Sequence, residues 1–261
     1  MDLQLKNKTA LVTGSTAGIG FSIAKQLLQE GATVYINGRT KDRVDAALRQ
    51  LKPFGHVQSA IADFSKPEEI SQLLTQVPDV DILINNVGIF EPKEFINIPD
   101  EDWLRFFEVN VLSGIRLSRH YFPKMLKANW GRIIFISSES AIHIPEEMIH
   151  YGMTKTAQLA VSRGLAELTK GTNVTVNSVL PGPTKSEGVG NFIVDLARNK
   201  NITPEQAETS FFETARPTSL IRRFASTDEI ANLVTYLSSP LSSATNGAAL
   251  RADGGLVKTI V

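Results

Sequence analysis

Thr9-Ala-Leu-Val-Thr-Gly14-Ser-Thr-Ala-Gly18-Ile-Gly20, continued by Phe21-Ser-Ile-Ala-Lys-Gln-Leu-Leu-Gln-Glu30-Gly31, decides the architecture of this 261-residue chain. The first five residues are a short β-rich apolar run. Beyond the glycines, apolar residues at 23, 24, 27 and 28 recur with a helical period, and Gly31 closes the run. Strand, glycine turn and helix in that order build a dinucleotide site, where a pyrophosphate meets exposed backbone N–H groups at a helix N-terminus. Gly14 allows the tight turn, Gly18 lets backbone approach phosphate, and Gly20 lets the helix pack closely on the strand. The spacing is G-x-x-x-G-x-G, different from the G-x-G-x-x-G of other dinucleotide folds.

Outward from this unit, strand-like and helical runs alternate. Strands are predicted at Ala10–Thr13, Thr33–Asn37, His56–Ala62, Ile82–Asn85, Arg132–Ser137, Val174–Val179 and Ala248–Arg251, and helices near 19–30, 41–51, 67–76, 100–127, 151–169 and 227–238. Such alternation implies an α/β fold, a Rossmann-like, doubly wound parallel sheet of about seven strands with helices on both faces. The runs Ile82-Leu-Ile84 and Ile133-Ile-Phe-Ile136 suit central strands buried on both sides. With no internal repeat and no low-complexity linker, residues 1–261 read as one dinucleotide-binding and catalytic domain. From about 185 to 220 the rhythm breaks into a polar stretch with helical hints at Phe192–Arg198 and Pro204–Thr214. A loop of this length in a compact domain is a functional lid or a disordered segment. As a lid, it would pivot near Gly188 and Gly190 and bring Phe192, Phe211 and Phe212 over the substrate.

A second constellation carries the chemistry. In Tyr151-Gly-Met-Thr-Lys155 the phenol and the ammonium lie four residues apart, one turn from each other on one helix face. A free Tyr titrates near pH ~10, and a cation held nearby favours the phenolate and lowers that value. Ser138, thirteen positions upstream, adds a hydroxyl able to hydrogen-bond the same substrate oxygen. Together they would form an acid–base site for a carbonyl/alcohol pair.

Taken with the glycine turn, these motifs resemble the short-chain dehydrogenase/reductase family nearly end to end. Thr13-Gly14-Ser15-Thr16-Ala17-Gly18-Ile19-Gly20 looks like its cofactor motif, and Asn85-Asn86-Val87-Gly88 like its Asn-Asn-Ala-Gly element, with Val87 in place of the usual Ala. Asn110, Ser138, Tyr151 and Lys155 fall where the family keeps its catalytic tetrad. Pro181-Gly182-Pro183-Thr184-Lys185-Ser186 resembles the turn that borders the nicotinamide, and Ala252-Asp253-Gly254-Gly255 the usual C-terminal closure. The resemblance implies reversible hydride transfer, with Tyr151 as general acid/base and Ser138 orienting the substrate oxygen. Lys155 would lower the Tyr pKa and bind the nicotinamide ribose, and Asn110 would hold a water of the proton relay. A structural Asn at a helix irregularity is the second role open to Asn110. Glu139, Glu146, Glu147, His143 and His150 read as polar loop residues at a cleft mouth rather than a second acid–base system.

Composition fits an enzyme of this kind. Lys+Arg and Asp+Glu balance at 27 each, so net charge points to neither nucleic acid nor an anionic membrane. No apolar run approaches the roughly 18 residues of a membrane span, and no signal-peptide pattern is recognised, so the cytoplasm is the expected location. Without Cys there is no disulfide, Cys-based zinc site or thiolate nucleophile, and the four His show no metal-ligand spacing.

The tip of the second strand, Tyr35-Ile-Asn-Gly-Arg39-Thr40, carries no acidic residue for a ribose 2′-OH. Arg39 suits a 2′-phosphate, with Thr40 as a second donor, which favours NADP(H) over NAD(H). Asp63, ending the third strand, is either the family's adenine contact or a strand cap. The substrate is a small carbonyl or alcohol compound: a 3-oxoacyl thioester, a polyol, a steroid and a small ketone all fit. Family members commonly pair through the long helices, so a homotetramer or homodimer is expected. Trp103, Phe106, Phe107, Leu112, Ile115, Leu117, Tyr121 and Phe122 are candidates for that contact. A catalytically silent dinucleotide-binding regulator, or an epimerase or dehydratase, are the other classes open to the chain.

Overall fold

The computed structural model describes residues 1–186, 189–190, 193–194, 197–198 and 201–260. Gly188 and Phe192 lie outside the described residues. Seven strands, β1 (Thr9–Val12), β2 (Thr33–Gly38), β3 (Val57–Ile61), β4 (Ile82–Asn85), β5 (Gly131–Ile136), β6 (Val174–Pro181) and β7 (Ala249–Ala252), form one parallel sheet in the order β3-β2-β1-β4-β5-β6-β7. The order reverses between β1 and β4. That switch point opens a crevice at the carboxyl ends of the strands, where ligands bind in open α/β sheets.

Two hydrophobic layers sandwich the sheet, and strand alternation explains both. Ala10, Val12, Ile134 and Ile136 face one layer, with α1 (Gly18–Gln29), α2 (Lys41–Leu51) and α8 (Thr227–Ser238). Leu11, Ile133 and Phe135, one residue out of step, face the other, with α3 (Pro67–Gln76), α5 (Ser113–Ala128) and α6 (Ile149–Glu167). Both faces are covered, as the unbroken apolar runs of β4 and β5 require.

The expected helix over 100–127 is divided. α4 (Asp100–Phe107) passes through a π-helical turn at Glu108–Leu112 before α5 begins. Asn110 sits in this turn, so the irregularity read from the sequence is present. Phe106, Leu117, Tyr121 and Phe122, offered above as intersubunit residues, are buried in this chain's own core. Leu104 and Phe107 are exposed instead. The reason is geometric, because a sheet apolar on both faces takes up most of the helices' apolar surface.

The stretch from 185 to 220 contains α7 (Pro204–Thr214), opened by a reciprocal capping box between Thr203 and Gln206. Phe211 and Phe212 do not form the expected wall over the substrate. Phe211 stacks on Phe224 at 5.2 Å, and Phe212 meets the same ring edge-on at 5.0 Å. With Ile193, Ala197 and Ala207 they make a small core of their own, which the broken periodicity concealed. Among the described residues no helix is long and apolar enough to cross a membrane.

Candidate active site

At the end of β1, Gly14 and Gly18 both adopt φ near +60°, the left-handed region that favours glycine. Asn86, just beyond β4, clamps the loop: its Nδ2 donates to the carbonyls of Thr13 (2.8 Å) and Gly14 (3.1 Å). A Cβ on Gly20 would lie 2.5 Å from Asn86 Nδ2 and 2.6 Å from the Gly14 carbonyl oxygen, so only glycine lets α1 start this close to the strand. Helix α1 carries no side-chain cap on Ala17 and no acidic residue in its first turn. Its first turn therefore adds no anion of its own to the positive end, as a pyrophosphate site requires. Ile19 packs partly on the first core layer.

Two residues of the cradle are turned inward. Ser15, expected at the phosphate, is fully buried. Its Oγ donates to the Val12 carbonyl (2.7 Å) and accepts from Asn37 N–H (2.9 Å), while its own N–H donates to the Asn37 carbonyl (2.9 Å). Both donors are used, so the residue braces the turn. Thr184 donates its hydroxyl to the Gly182 carbonyl (2.9 Å) and forms a β-bridge with Ala225. Asn37, which the sequence reading passed over, is the brace's centre. Its Oδ1 accepts from Gly14 N–H (3.0 Å), and its Nδ2 reaches the carbonyls of Ala60 and Ala62. A buried Asn in an apolar strand was the available signal, because such a group must find partners.

Around the crevice stand the remaining nucleotide-side residues. Arg39 and Thr40 are exposed after β2, and Thr16 packs under Gly38, where a Cβ would approach its Cγ2 to 2.5 Å. Asp63 accepts hydrogen bonds from the N–H (3.0 Å) and hydroxyl (2.8 Å) of Ser65, the geometry of a strand cap. Burial raises its pKa, but the Ser65 bonds and the charge of Arg39 outweigh that and leave it below the usual carboxylate range. Pro181 ends β6 against Ala252, and Gly182 runs so close to Asp253 that a Cβ would lie 2.7 Å from its Cα. Ser186 lies against Gly18, its Cβ 3.4 Å from where a Gly18 Cβ would stand.

The chemical groups converge at the carboxyl end of β5. Ser138 follows the strand, and Tyr151 and Lys155 project from the first turns of α6. Lys155 Nζ donates to the Ile136 carbonyl (2.9 Å) and to Gln158 Oε1 (3.4 Å), and stands 5.6 Å from the Tyr151 ring centre. Gly88 admits it, since a Cβ there would lie 3.3 Å from Nζ. Burial lowers the Lys155 pKa to about 8. Burial also raises the Tyr151 pKa, and the charge of Glu139 adds to it, while the Ser138 hydroxyl opposes the rise. The expected lowering by Lys155 is thus absent in this arrangement. The ammonium is itself desolvated and turned to a carbonyl.

Two further expectations change here. Asn110 does brace the site, its Nδ2 donating to the Ile89 carbonyl and Thr154 Oγ1 (3.0 Å each) and its Oδ1 accepting from Ile89 N–H (2.8 Å). Its backbone carbonyl accepts from Gln158 Nε2 at 2.5 Å, which ties the π-helical turn to α6. Gln158 lies three residues after Lys155 on the same helix face, a spacing that could have found it. Glu139 is no cleft-mouth residue. It is buried, accepts the Ser138 hydroxyl at 2.6 Å, and lies 3.8 Å from Arg216 Nε. His150 is buried as well, 4.1 Å from the Phe106 ring, whereas His143, Glu146 and Glu147 are exposed. Among the described residues no group of acidic residues and His could hold a metal ion.

A phosphate cradle beside a Ser/Tyr/Lys set defines a dinucleotide-dependent oxidoreductase, and comparison with known proteins agrees. A family model described as short chain dehydrogenase matches residues 8–195. The chain is 53% identical over 264 residues to the uncharacterized oxidoreductase YvaG of Bacillus subtilis (strain 168), covering 100% of both. It is 32% identical over 255 residues to a D-beta-hydroxybutyrate dehydrogenase of Rhizobium meliloti (strain 1021), covering 95% of this chain and 98% of that one. L-sorbose reductase from Gluconobacter frateurii, solved with NADPH and L-sorbose, is similar in structure with a TM-score of 0.94 and 30% identity over 100% of both chains. The chain belongs to the short-chain dehydrogenase/reductase family.

Proposed function

We propose that this protein interconverts a carbonyl and an alcohol on a small molecule with NADP(H) as hydride carrier. The observation that carries the reading is the convergence of Ser138, Tyr151 and Lys155 at the switch-point crevice, beside a glycine cradle and an uncapped helix N-terminus. When bound, the dinucleotide supplies or accepts the hydride at the reacting carbon. Gly14, Gly18, Ile19, Gly20 and Thr16 would hold its pyrophosphate side, Asn86, Gly88, Pro181, Gly182 and Ser186 would flank the ring side, and Asp63 would meet the adenine. Tyr151 gives its proton to the substrate oxygen in reduction and takes it back in oxidation. Lys155 holds a positive charge near that phenol and would bind the ribose. Asn110 and Gln158 fix the π-helical turn and the lysine relative to each other. A thermal-shift comparison of NADPH and NADH, followed by a panel of L-sorbose, acetoacetate and 2,3-butanedione, tests the reading. Absence of stabilisation by either dinucleotide would refute it.

Arg39 supports the choice of NADP(H), since the neighbouring strand tip carries no acid to meet a ribose 2′-OH. A charge-assisted contact to a 2′-phosphate contributes about 1.5–3 kcal/mol. Arg39→Asp is therefore expected to weaken NADPH binding by roughly tenfold or more and to narrow the gap to NADH. Equal titration of both dinucleotides in wild type and variant would show that Arg39 serves solvent only.

Gly20→Ala tests the cradle. Overpacking costs about 1–3 kcal/mol, so the variant should melt several degrees lower and bind NADPH more weakly. An unchanged melting curve and unchanged affinity would mean that α1 can withdraw freely. The assembly we propose is a homotetramer or homodimer in the cytoplasm, with exposed Leu104, Phe107 and Leu168 as apolar surface available to a second copy. Light scattering that reports a monomer at micromolar concentration would remove that part.

A further inference from the structure

Ser138 has one hydroxyl proton, which its geometry directs to Glu139: Oγ donates to Glu139 Oε2 at 2.6 Å and accepts from Ser140 N–H at 3.1 Å, with Tyr151 the other group the hydroxyl faces. A serine in this state can accept one more hydrogen bond but can donate none. The reacting oxygen needs a donor both as a carbonyl and in the transition state, where negative charge builds on it in either direction, so Ser138 in this state cannot serve it. We infer that Glu139 is a positioning residue that sets the hydrogen-bond direction of Ser138, so that its protonated form frees the Ser138 proton for the reacting oxygen and its ionised form withdraws it. This rests on the carbonyl-reductase reading above.

The proton count closes. With Glu139 protonated, its O–H donates to Ser138 Oγ, and the Ser138 proton turns to the carbonyl oxygen. Reduction then adds a hydride at carbon and the Tyr151 proton at oxygen. Oxidation is the same path reversed, with Glu139 still protonated: the hydride leaves carbon and the alcohol proton returns to the Tyr151 phenolate. With Glu139 ionised, Ser138 points back at the carboxylate and the reacting oxygen loses that donor in both directions. Glu139 itself neither gains nor loses a proton to substrate; it changes which partner Ser138 serves.

Arg216 faces the other carboxylate oxygen of Glu139, with Nε 3.8 Å from Oε1, too long for a hydrogen bond. Its remaining donors turn away, to Glu147 Oε1 (3.3 and 3.4 Å) and the Ala215 carbonyl (2.8 Å). Lys155 and Tyr151, on α6, are the other titratable groups that feel the Glu139 charge. Burial raises the Glu139 pKa above its ordinary carboxylate value, against the opposing Ser138 hydrogen bond and Arg216 charge.

Thermodynamics fixes the ratio of forward to reverse kcat/KM at each pH, so only the breakpoints are informative. With 2,3-butanedione and acetoin as the carbonyl and alcohol pair, wild-type reduction should be level and then fall tenfold per pH unit. Oxidation should rise and then level at the same breakpoint. Glu139→Gln offers an amide donor to Ser138 at every pH, so both breakpoints should move up together by one pH unit or more, to the Tyr151 and Lys155 limb. Breakpoints that stay in place in the Gln variant overturn the inference. A second measurement needs no turnover: 13C NMR titration of the Glu139 carboxyl in wild type and Ser138→Ala. Loss of the serine donor should raise the Glu139 titration midpoint, and identical midpoints overturn the inference even if the protein reduces no carbonyl. Failure of the carbonyl-reductase reading would instead show as no turnover and no dinucleotide binding, whatever the NMR midpoints.

Discussion

Tyr151→Phe is expected to lower turnover by about 10²–10⁴-fold while dinucleotide affinity stays within a small factor of wild type. The phenyl ring keeps the Tyr151 shape and its edge-on contact with Phe90, centroids 6.3 Å apart, so packing is preserved and only the transferable proton is lost. No nearby group replaces it. Ser138 is occupied by Glu139, Lys155 by Ile136 and Gln158, and His150 lies buried against Phe106. Titration calorimetry with NADPH and single-turnover kinetics separate the two effects. A Phe variant that keeps a tenth or more of wild-type turnover would show that another group delivers the proton.

The pH dependence follows from the same geometry. Lys155, lowered to about 8 by burial, is charged below that pH and neutral above it. Reduction uses both a protonated Tyr151 and a cation beside it, so a further fall in reductive kcat/KM is expected past about 8, beyond the Glu139 breakpoint, and it becomes the first fall in the Glu139→Gln variant. The direction is opposite for a site that relied on a deprotonated lysine as base, for which activity would climb.

How much of this was legible beforehand varies with the kind of signal. Run length marked the central strands better than periodicity, because β4 and β5 carry short unbroken apolar runs buried on both faces and too brief for a helix. Helix 100–127 was drawn unbroken because its apolar spacing continues through the break. The π-helical turn arises from tertiary bonds of Asn110 to Ile89 and Thr154, which no local pattern encodes. Ser15 and Glu139 failed for a shared reason. Type and position suggested a polar residue facing solvent or ligand, but the backbone turns each inward to a partner at hydrogen-bond distance. Phe211 and Phe212 read as substrate-facing in the sequence because Phe224, the ring they pack on, lies in a separate stretch of chain.

Lys155→Met is the variant that separates function from folding most sharply. A buried ammonium destabilises the fold in proportion to its lost hydration, offset here by hydrogen bonds to the Ile136 carbonyl (2.9 Å) and Gln158 Oε1 (3.4 Å). Met has nearly the same length, fills the space beside Gly88, and needs no hydration. It removes the desolvation penalty and forfeits the two bonds, at about 1 kcal/mol each, so the terms oppose and the melting temperature should change by only a few degrees at pH 7. The sign at higher pH follows from the lowered pKa. Below about 8 both folded and unfolded chains carry the proton and the penalty is complete. Between about 8 and the ordinary lysine value of 10.5 the folded chain releases it first, so wild-type stability gains on the Met variant as pH rises. Activity should behave quite differently. Without the cation the Tyr151 phenolate loses its only nearby positive partner on α6, and the ribose loses a donor, so turnover should drop by about 10²-fold or more and dinucleotide affinity should fall with it. Calorimetry across pH 7 to 10 beside steady-state kinetics gives both readouts on one preparation. A variant that unfolds at pH 7 would make Lys155 a structural residue first, and one that keeps its turnover would remove the lysine from the chemistry altogether.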